Sequence, residues 1–262
     1  LFTLYTAFFP FMLSILSVLA VYEIQRVIGL KNFPIRILSY IVSVALPFII
    51  NYDLAQLMVP YFIIYIIIIF LFLILDYDNV HFSQVAIVIF TSISIPFAFG
   101  SVLLIRDFYV SYPNIFSKNE SVFFILLSIF SAGLADAFAY FIGSRYGKHK
   151  LSPKISPKKS IEGAIGGLVG APIMCIVIFI IYKKFLLDQT TITYLGVGIA
   201  SLILSVISMI GDLAASTLKR NYNAKDFSNI LPGHGGIMDR FDSQLFVLPT
   251  MYAIIELVVQ RW

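Results

Sequence analysis

The chain has 262 residues, 60% of them hydrophobic and only 12% charged, with a formal net charge of +4. A soluble domain carries about 25% charged residues, so a water-soluble globule is excluded: it would have no polar surface to show to water. No soluble domain with a basic face is present, and no nucleic-acid partner is expected.

Repeated apolar runs of about 20 residues read as transmembrane helices. They lack the period of two that a membrane β-barrel requires. The expected fold is therefore an all-α integral membrane protein, a polytopic helical bundle of about eight transmembrane helices, with seven or nine as the alternatives. The spans are expected near 4–28, 34–51, 54–75, 83–105, 121–143, 162–182, 191–215 and 244–260. The first run has neither a basic leader nor a small-residue cleavage site, and reads as a span rather than a removable signal peptide. The second is short for a full crossing. The fourth is the weakest, because Pro96 and Gly100 are helix breakers in its interior.

No long soluble linker interrupts the chain, which reads as one integral membrane unit. Residues 1–118 are assigned to packing helices, and their spare apolar surface is the ground for expecting a homodimer. Residues 119–262 are assigned to a catalytic region with cytosolic loops. The 25 Phe and 15 Tyr are expected mostly to face lipid or the interface. Cys175 reads as a small buried hydrophobe.

Most of the 18 Lys and Arg fall in the loops after the odd-numbered spans, including Arg26, Lys31 and Arg36, then Arg145 to Lys159, then Lys219 to Arg240. Positive loops stay on the cytosolic side. The protein is thus expected in the cell (inner) membrane, with these loops and the active site facing the cytosol.

Charges buried in spans are costly and mark function by default. Asp136 sits seven residues inside the expected end of the fifth span, roughly 10 Å deep. It needs a partner. Beyond it, Ser156-Pro157-Lys158-Lys159-Ser160-Ile161-Glu162-Gly163 places two lysines just ahead of a new helix, which Ser160 is placed to cap. Helix N-termini favour phosphate. Asp136, Lys158, Lys159 and Glu162 are therefore substrate-binding candidates. Gly163, Gly166, Gly167 and Gly170 give small-residue spacings suited to close helix packing.

Asp212 ends the long apolar run LGVGIASLILSVISMIGD. If that helix continues, Asp212, Ser216 and Lys219 or Arg220 share one face. The stretch that follows, STLKRNYNAKDFSNILPGHGGIMDRFD, is dense in charge and turn residues. Pro232-Gly233 and Gly235-Gly236 permit the chain to fold back. Two aspartates brought together, Asp212 and Asp239, suit a hard cation such as Mg²⁺, which leaves its remaining positions to water and phosphate. Asp242 is a third ligand, or else a partner for Arg240 or Lys225. Lys219, Arg220, Lys225 and Arg240 form a natural clamp for phosphate charge. His234, Gly235 and Gly236 offer donors to a phosphate. Asp226 neutralises Lys225 or joins the substrate site with Ser216.

This stretch resembles the signature of the CDP-diacylglycerol synthases, also called phosphatidate cytidylyltransferases. The matching positions are Ser216, Leu218, Lys219-Arg220, Lys225-Asp226, Ser228, Leu231-Pro232, His234-Gly235-Gly236, Ile237, Asp239-Arg240, Phe241 and Asp242. The family also has a closely similar Ser-Pro-Lys-Lys element followed by Glu-Gly. Its metal-binding aspartates fall on Asp212 and Asp239. The sequence departs from the family where Ala215 precedes the signature serine in place of Glu, and where Ala137 follows the upstream Asp in place of Ser or Thr. Leu4 and Tyr5 stand before Thr6-Ala7, where a basic residue is common.

The resemblance implies transfer of the cytidylyl group of CTP to phosphatidate drawn from the membrane lipid, giving CDP-diacylglycerol and pyrophosphate, with Mg²⁺ as cofactor and a two-metal arrangement as its variant. Asp212, Asp239, Lys219, Arg220, Lys225, His234 and Arg240 are the expected catalytic residues. The alternatives are a CTP-dependent lipid kinase, a cytidylyltransferase for another lipid phosphate, and an ion- or proton-coupled transporter with Asp136 and Asp212 as relays.

Overall fold

The computed structural model describes residues 2–187, 190–230, 233 and 235–260, with the side chains of residues 2–6 left aside. In chain order the elements are α1 (Phe2–Val27), α2 (Phe33–Asn51), a 3₁₀ turn (Ala55–Leu57), α3 (Met58–Leu75), α4 (Phe82–Arg106), the short α5 (Phe108–Ser111), α6 (Lys118–Tyr146), the strands β1 (Lys150–Ser152) and β2 (Ser156–Ser160), α7 (Ile161–Leu186), α8 (Tyr194–Asn221), the short α9 (Met238–Phe241) and α10 (Gln244–Val259). Eight helical segments among the described residues are long and apolar enough to cross a membrane, as expected. The protein is an integral membrane protein of polytopic helical architecture.

One expectation about a single span is corrected. The fourth span is one continuous helix of 25 residues with Pro96 inside it. In hydrocarbon an unwound backbone has no water to bond, so the helix persists through a proline. Gly100 serves packing there, because a Cβ at that position would meet Ile50 Cδ1 of α2 at 2.5 Å. The second span is 19 residues, or about 28 Å. Its start is fixed by Asn32, whose side chain accepts from Ile35 N at 2.9 Å.

The chain divides into two compact units, 1–103 with 221–241, and 104–220 with 242–262. In the first, α1 lies along α2. Ser14 Oγ donates to Val44 O at 2.9 Å and Gln25 Nε2 donates to Ser39 Oγ at 2.5 Å, both within the apolar layer. On α3 only Tyr65 and Ile69 are buried, and the other side chains are left for lipid.

In the second unit α6 and α7 pack most closely, and the glycines make that approach. A Cβ at Gly163 would meet Ala139 O at 2.5 Å, and one at Gly167 would meet Ala135 O at 2.6 Å. Backbone cannot retreat as a side-chain tip can. Gly167→Leu is therefore expected to separate α6 from α7 and to lower the thermal midpoint in detergent sharply, at a cost of about 1–3 kcal/mol or more. Gly133→Ala, where a Cβ would meet nothing within 4 Å, is expected to leave the midpoint unchanged.

The same unit has an aromatic core as well as exposed rings such as Tyr140, Phe141, Tyr146 and Phe185. Phe108, Phe123 and Phe179 are buried, and Phe123 and Phe179 lie 4.9 Å apart between ring centroids. Lipid can solvate such rings as well as protein can, so sequence alone does not say which face they take. Cys175 is buried, with Sγ 3.6 Å from Ser131 Oγ.

Candidate active site

In the second unit, α6 delivers Asp136 to the wall of a pocket of about 320 Å³. The helix runs on to Tyr146, ten residues past Asp136, so the acid lies about 15 Å from the helix end. Small residues at Ala135, Ala139 and Gly143 of α6, and at Gly163 and Ala164 of α7, leave the space. Lys158 and Lys159 of β2 form another wall, and Asp212 of α8 a third. Lys159 Nζ and Asp212 Oδ2 form an ion pair. Four of the charged residues singled out in the sequence thus line one pocket.

The lysines reach it because residues 148–160 fold as an antiparallel hairpin, with Lys150 opposite Ser160 and Ser152 opposite Ser156. This hairpin is not legible in the Ser-Pro-Lys-Lys sequence. Glu162 closes its base. Its carboxylate accepts from Lys148 N at 3.1 Å and His149 N at 3.2 Å, and Oε1 lies 2.6 Å from His149 Nδ1. Glu162 therefore holds the hairpin that carries the lysines. Ser160 caps α7 as expected, accepting from Gly163 N at 3.1 Å. Arg220 Nε donates to Ile155 O at 3.4 Å, which ties the end of α8 to the hairpin turn.

Because α8 continues to Asn221, Asp212, Ser216 and Lys219 do share a face. Ser216 Oγ donates to Asp212 Oδ1 at 3.3 Å. Lys219 is buried and attracts Asp242, whose Oδ1 accepts from Ser243 N at 2.7 Å. Asp136 and Asp242 both feel the charge of Asp212. Among the described residues no three His, Cys, Asp or Glu side chains form a ready metal cage. One or two carboxylates beside lysines fit Mg²⁺ better than a fully caged ion, since Mg²⁺ keeps water and phosphate in its shell.

The remainder of the signature belongs to the first unit, in residues 221–241. Asp239 Oδ2 accepts from Phe227 N at 2.9 Å and Gly236 N at 3.0 Å, so its carboxylate fastens both arms of the loop. Gly233 and Gly235 take φ of 76° and 78°, the left-handed turn that the Pro-Gly and Gly-Gly pairs predict. Lys225, Asp226 and Arg240 are exposed. His234, Leu231 and Pro232 lie outside the described residues.

Sequence reasoning passed over Glu23. This residue of α1 has no exposed surface, and its carboxylate accepts from Ser228 Oγ, Ile237 N and Met238 N. A signal was present: a glutamate in the run LAVYEIQRV is an acid near the end of an apolar span, the same criterion that selected Asp136 and Asp212.

A model of the cytidylyltransferase family matches residues 1–258. The chain belongs to the cytidylyltransferase family. Among curated members, the phosphatidate cytidylyltransferase of Bacillus subtilis (strain 168) is 39% identical over 136 residues, covering 52% of this chain and 47% of the relative. The phosphatidate cytidylyltransferase of Staphylococcus aureus (strain COL) is 34% identical over 139 residues, covering 53% and 51%. The matched region thus spans about half the length of these curated relatives.

Proposed function

We propose that the chain transfers the cytidylyl group of CTP to phosphatidate at the cytosolic face of the cell membrane. The observation that carries this reading is the pocket of the second unit, where Lys158 and Lys159 face Asp136 and Asp212. A site of both signs, walled by apolar helices, suits a phosphate carried on a lipid. In the reaction an oxygen of the lipid phosphate attacks the α-phosphorus of CTP. The bond from that phosphorus to the bridging β-oxygen breaks, and pyrophosphate departs.

Little covalent chemistry falls to the protein, so positioning and charge stabilisation dominate. Lys158 and Lys159 offset phosphate charge, held in place by the Glu162-closed hairpin. Ser216 and Lys159 orient Asp212. Lys219 orients Asp242, and the resemblance to the family signature assigns the exposed Lys225 and Arg240 to phosphate charge. Mg²⁺, when bound, would neutralise phosphate oxygens and polarise the α-phosphorus, with Asp212 as its ligand and Asp242 in support. The role of Asp239 as a further ligand rests on its place in the signature. Cytosolic orientation is supported by the basic residues Lys148, Lys150, Lys154, Lys158 and Lys159 gathered in one hairpin.

The position of the label in CTP tests the reaction. Protein in detergent micelles with Mg²⁺ and phosphatidate is expected to carry α-³²P from CTP into the lipid fraction, and to leave γ-³²P in pyrophosphate. Label from the γ-position in lipid would instead identify a kinase. Lys159→Met is expected to lower kcat/KM for CTP by about 10²-fold, the scale of one lost electrostatic donor. A change within about twofold would remove Lys159 from the phosphate site.

A further inference from the structure

The N-terminal helix supplies a group that nothing in the signature itself provides. Glu23 sits on α1 with no exposed surface. Its Oε1 accepts from Ser228 Oγ at 2.5 Å and from Ile237 N at 2.9 Å, and its Oε2 accepts from Met238 N at 2.7 Å. Ser228 lies on the incoming arm of the signature loop. Ile237 and Met238 lie on the returning arm, immediately before Asp239. One carboxylate therefore bonds both arms.

The fit leaves no slack. A Cβ at Gly236 would fall 2.5 Å from Glu23 Oε2 and 2.6 Å from Oε1, so the loop comes this close only with glycine there. Asp239 makes the complementary set of bonds, to Phe227 N and Gly236 N. Three consecutive backbone amides, 236 to 238, are thus held by two acids, one of them more than 200 residues away in the chain.

We infer that Glu23 is the positioning residue of the signature loop: its buried carboxylate clamps Ser228, Ile237 and Met238 and so sets where Asp239 stands. This inference rests on the cytidylyltransferase reading for its catalytic consequence, though not for the clamp itself. The chemistry favours a charged acceptor here. A buried carboxylate is stable only when its lone pairs are met, and two amides and a hydroxyl meet them. A glutamine keeps the shape but presents an N–H₂ donor toward groups that also donate.

The test joins local hydrogen exchange with kinetics on the full-length chain in detergent. In Glu23→Gln, exchange over residues 227–239 is expected to quicken about 10-fold or more, the scale of a lost charge-assisted bond. Exchange over α2, residues 33–51, should keep its wild-type rate. The kcat for cytidylyl transfer should fall by about 10²-fold, as for a displaced reacting group, while KM for CTP stays within about twofold. Ser228→Ala removes one of the three donors and leaves the acid in place. It should shift the same peptide in the same direction by less, which keeps the inference testable if Glu23→Gln fails to fold.

Unchanged exchange over 227–239 in both variants would overturn the clamp. So would acceleration spread evenly over α1, α2 and the loop, which marks general loss of stability. Local acceleration with wild-type kcat would overturn the positioning role. If the wild-type protein transfers no label from CTP to lipid, the functional reading falls, and the exchange result still judges the clamp.

Discussion

Asp212→Asn is expected to abolish cytidylyl transfer, with kcat reduced by about 10³-fold, while the protein stays folded. The substitution keeps the side chain's volume and an oxygen for the Ser216 hydroxyl, which donates to Asp212 Oδ1 at 3.3 Å. It removes only the charge. That charge pairs with Lys159 across the pocket, and in the proposed reaction it would also hold Mg²⁺ against phosphate. Removing a preorganised electrostatic group costs about 10²–10³ in kcat, and loss of the ion adds to that. The structural cost is small, because the Lys159 and Asp212 side chains retain 26% and 24% exposure. Exposed pairs contribute about 0.2–1 kcal/mol and breaking a fully buried one costs about 3–5 kcal/mol, and this pair lies between them. A thermal midpoint within a few degrees of wild type, together with lost transfer, is the expected result. Wild-type turnover in folded Asp212→Asn protein would remove Asp212 from the reaction.

Asp239→Asn is expected to lower kcat by about 10²-fold or more and to leave the loop intact. Asp239 Oδ2 accepts from both Phe227 N and Gly236 N. The carbonyl of an asparagine can accept from both as well, so the arms stay joined while the charge is lost. Asp239→Ala removes charge and acceptor together. Two backbone amides then lose their partner, at about 1–3 kcal/mol each where they are buried. The alanine variant should therefore show faster hydrogen exchange over 227–239 as well as lost transfer, and the asparagine variant lost transfer alone. If asparagine retains full activity and alanine does not, Asp239 serves the loop and not the chemistry.

The helical architecture was legible because the bilayer imposes it. A run of about 20 apolar residues has few other structures open to it, and this constraint also carried α4 past Pro96. The glycines of α7 could be read for the same reason, since close helix packing in lipid needs small residues. Asp136, Lys158, Lys159 and Asp212 stood out as charges at or within apolar segments, and the structure gathers them around one pocket. The hairpin that delivers the lysines could not be read. Its base is closed by Glu162 reaching back to Lys148 and His149, a tertiary bond without periodicity. Glu23 was missed for a different reason. Its partners Ser228, Ile237 and Met238 lie more than 200 residues away in the chain, and no local pattern links them to α1.

The most direct measurement of the central claim is the mass of the lipid product. Phosphatidate of one acyl composition, CTP and Mg²⁺ are incubated with the purified protein, and the lipid is extracted and weighed by mass spectrometry alongside a pyrophosphate assay. A gain of one cytidylyl group per phosphatidate, matched by one pyrophosphate and absent with Asp212→Asn, is the predicted result. Phosphatidate recovered unchanged from folded wild-type protein, with no pyrophosphate released, would contradict it.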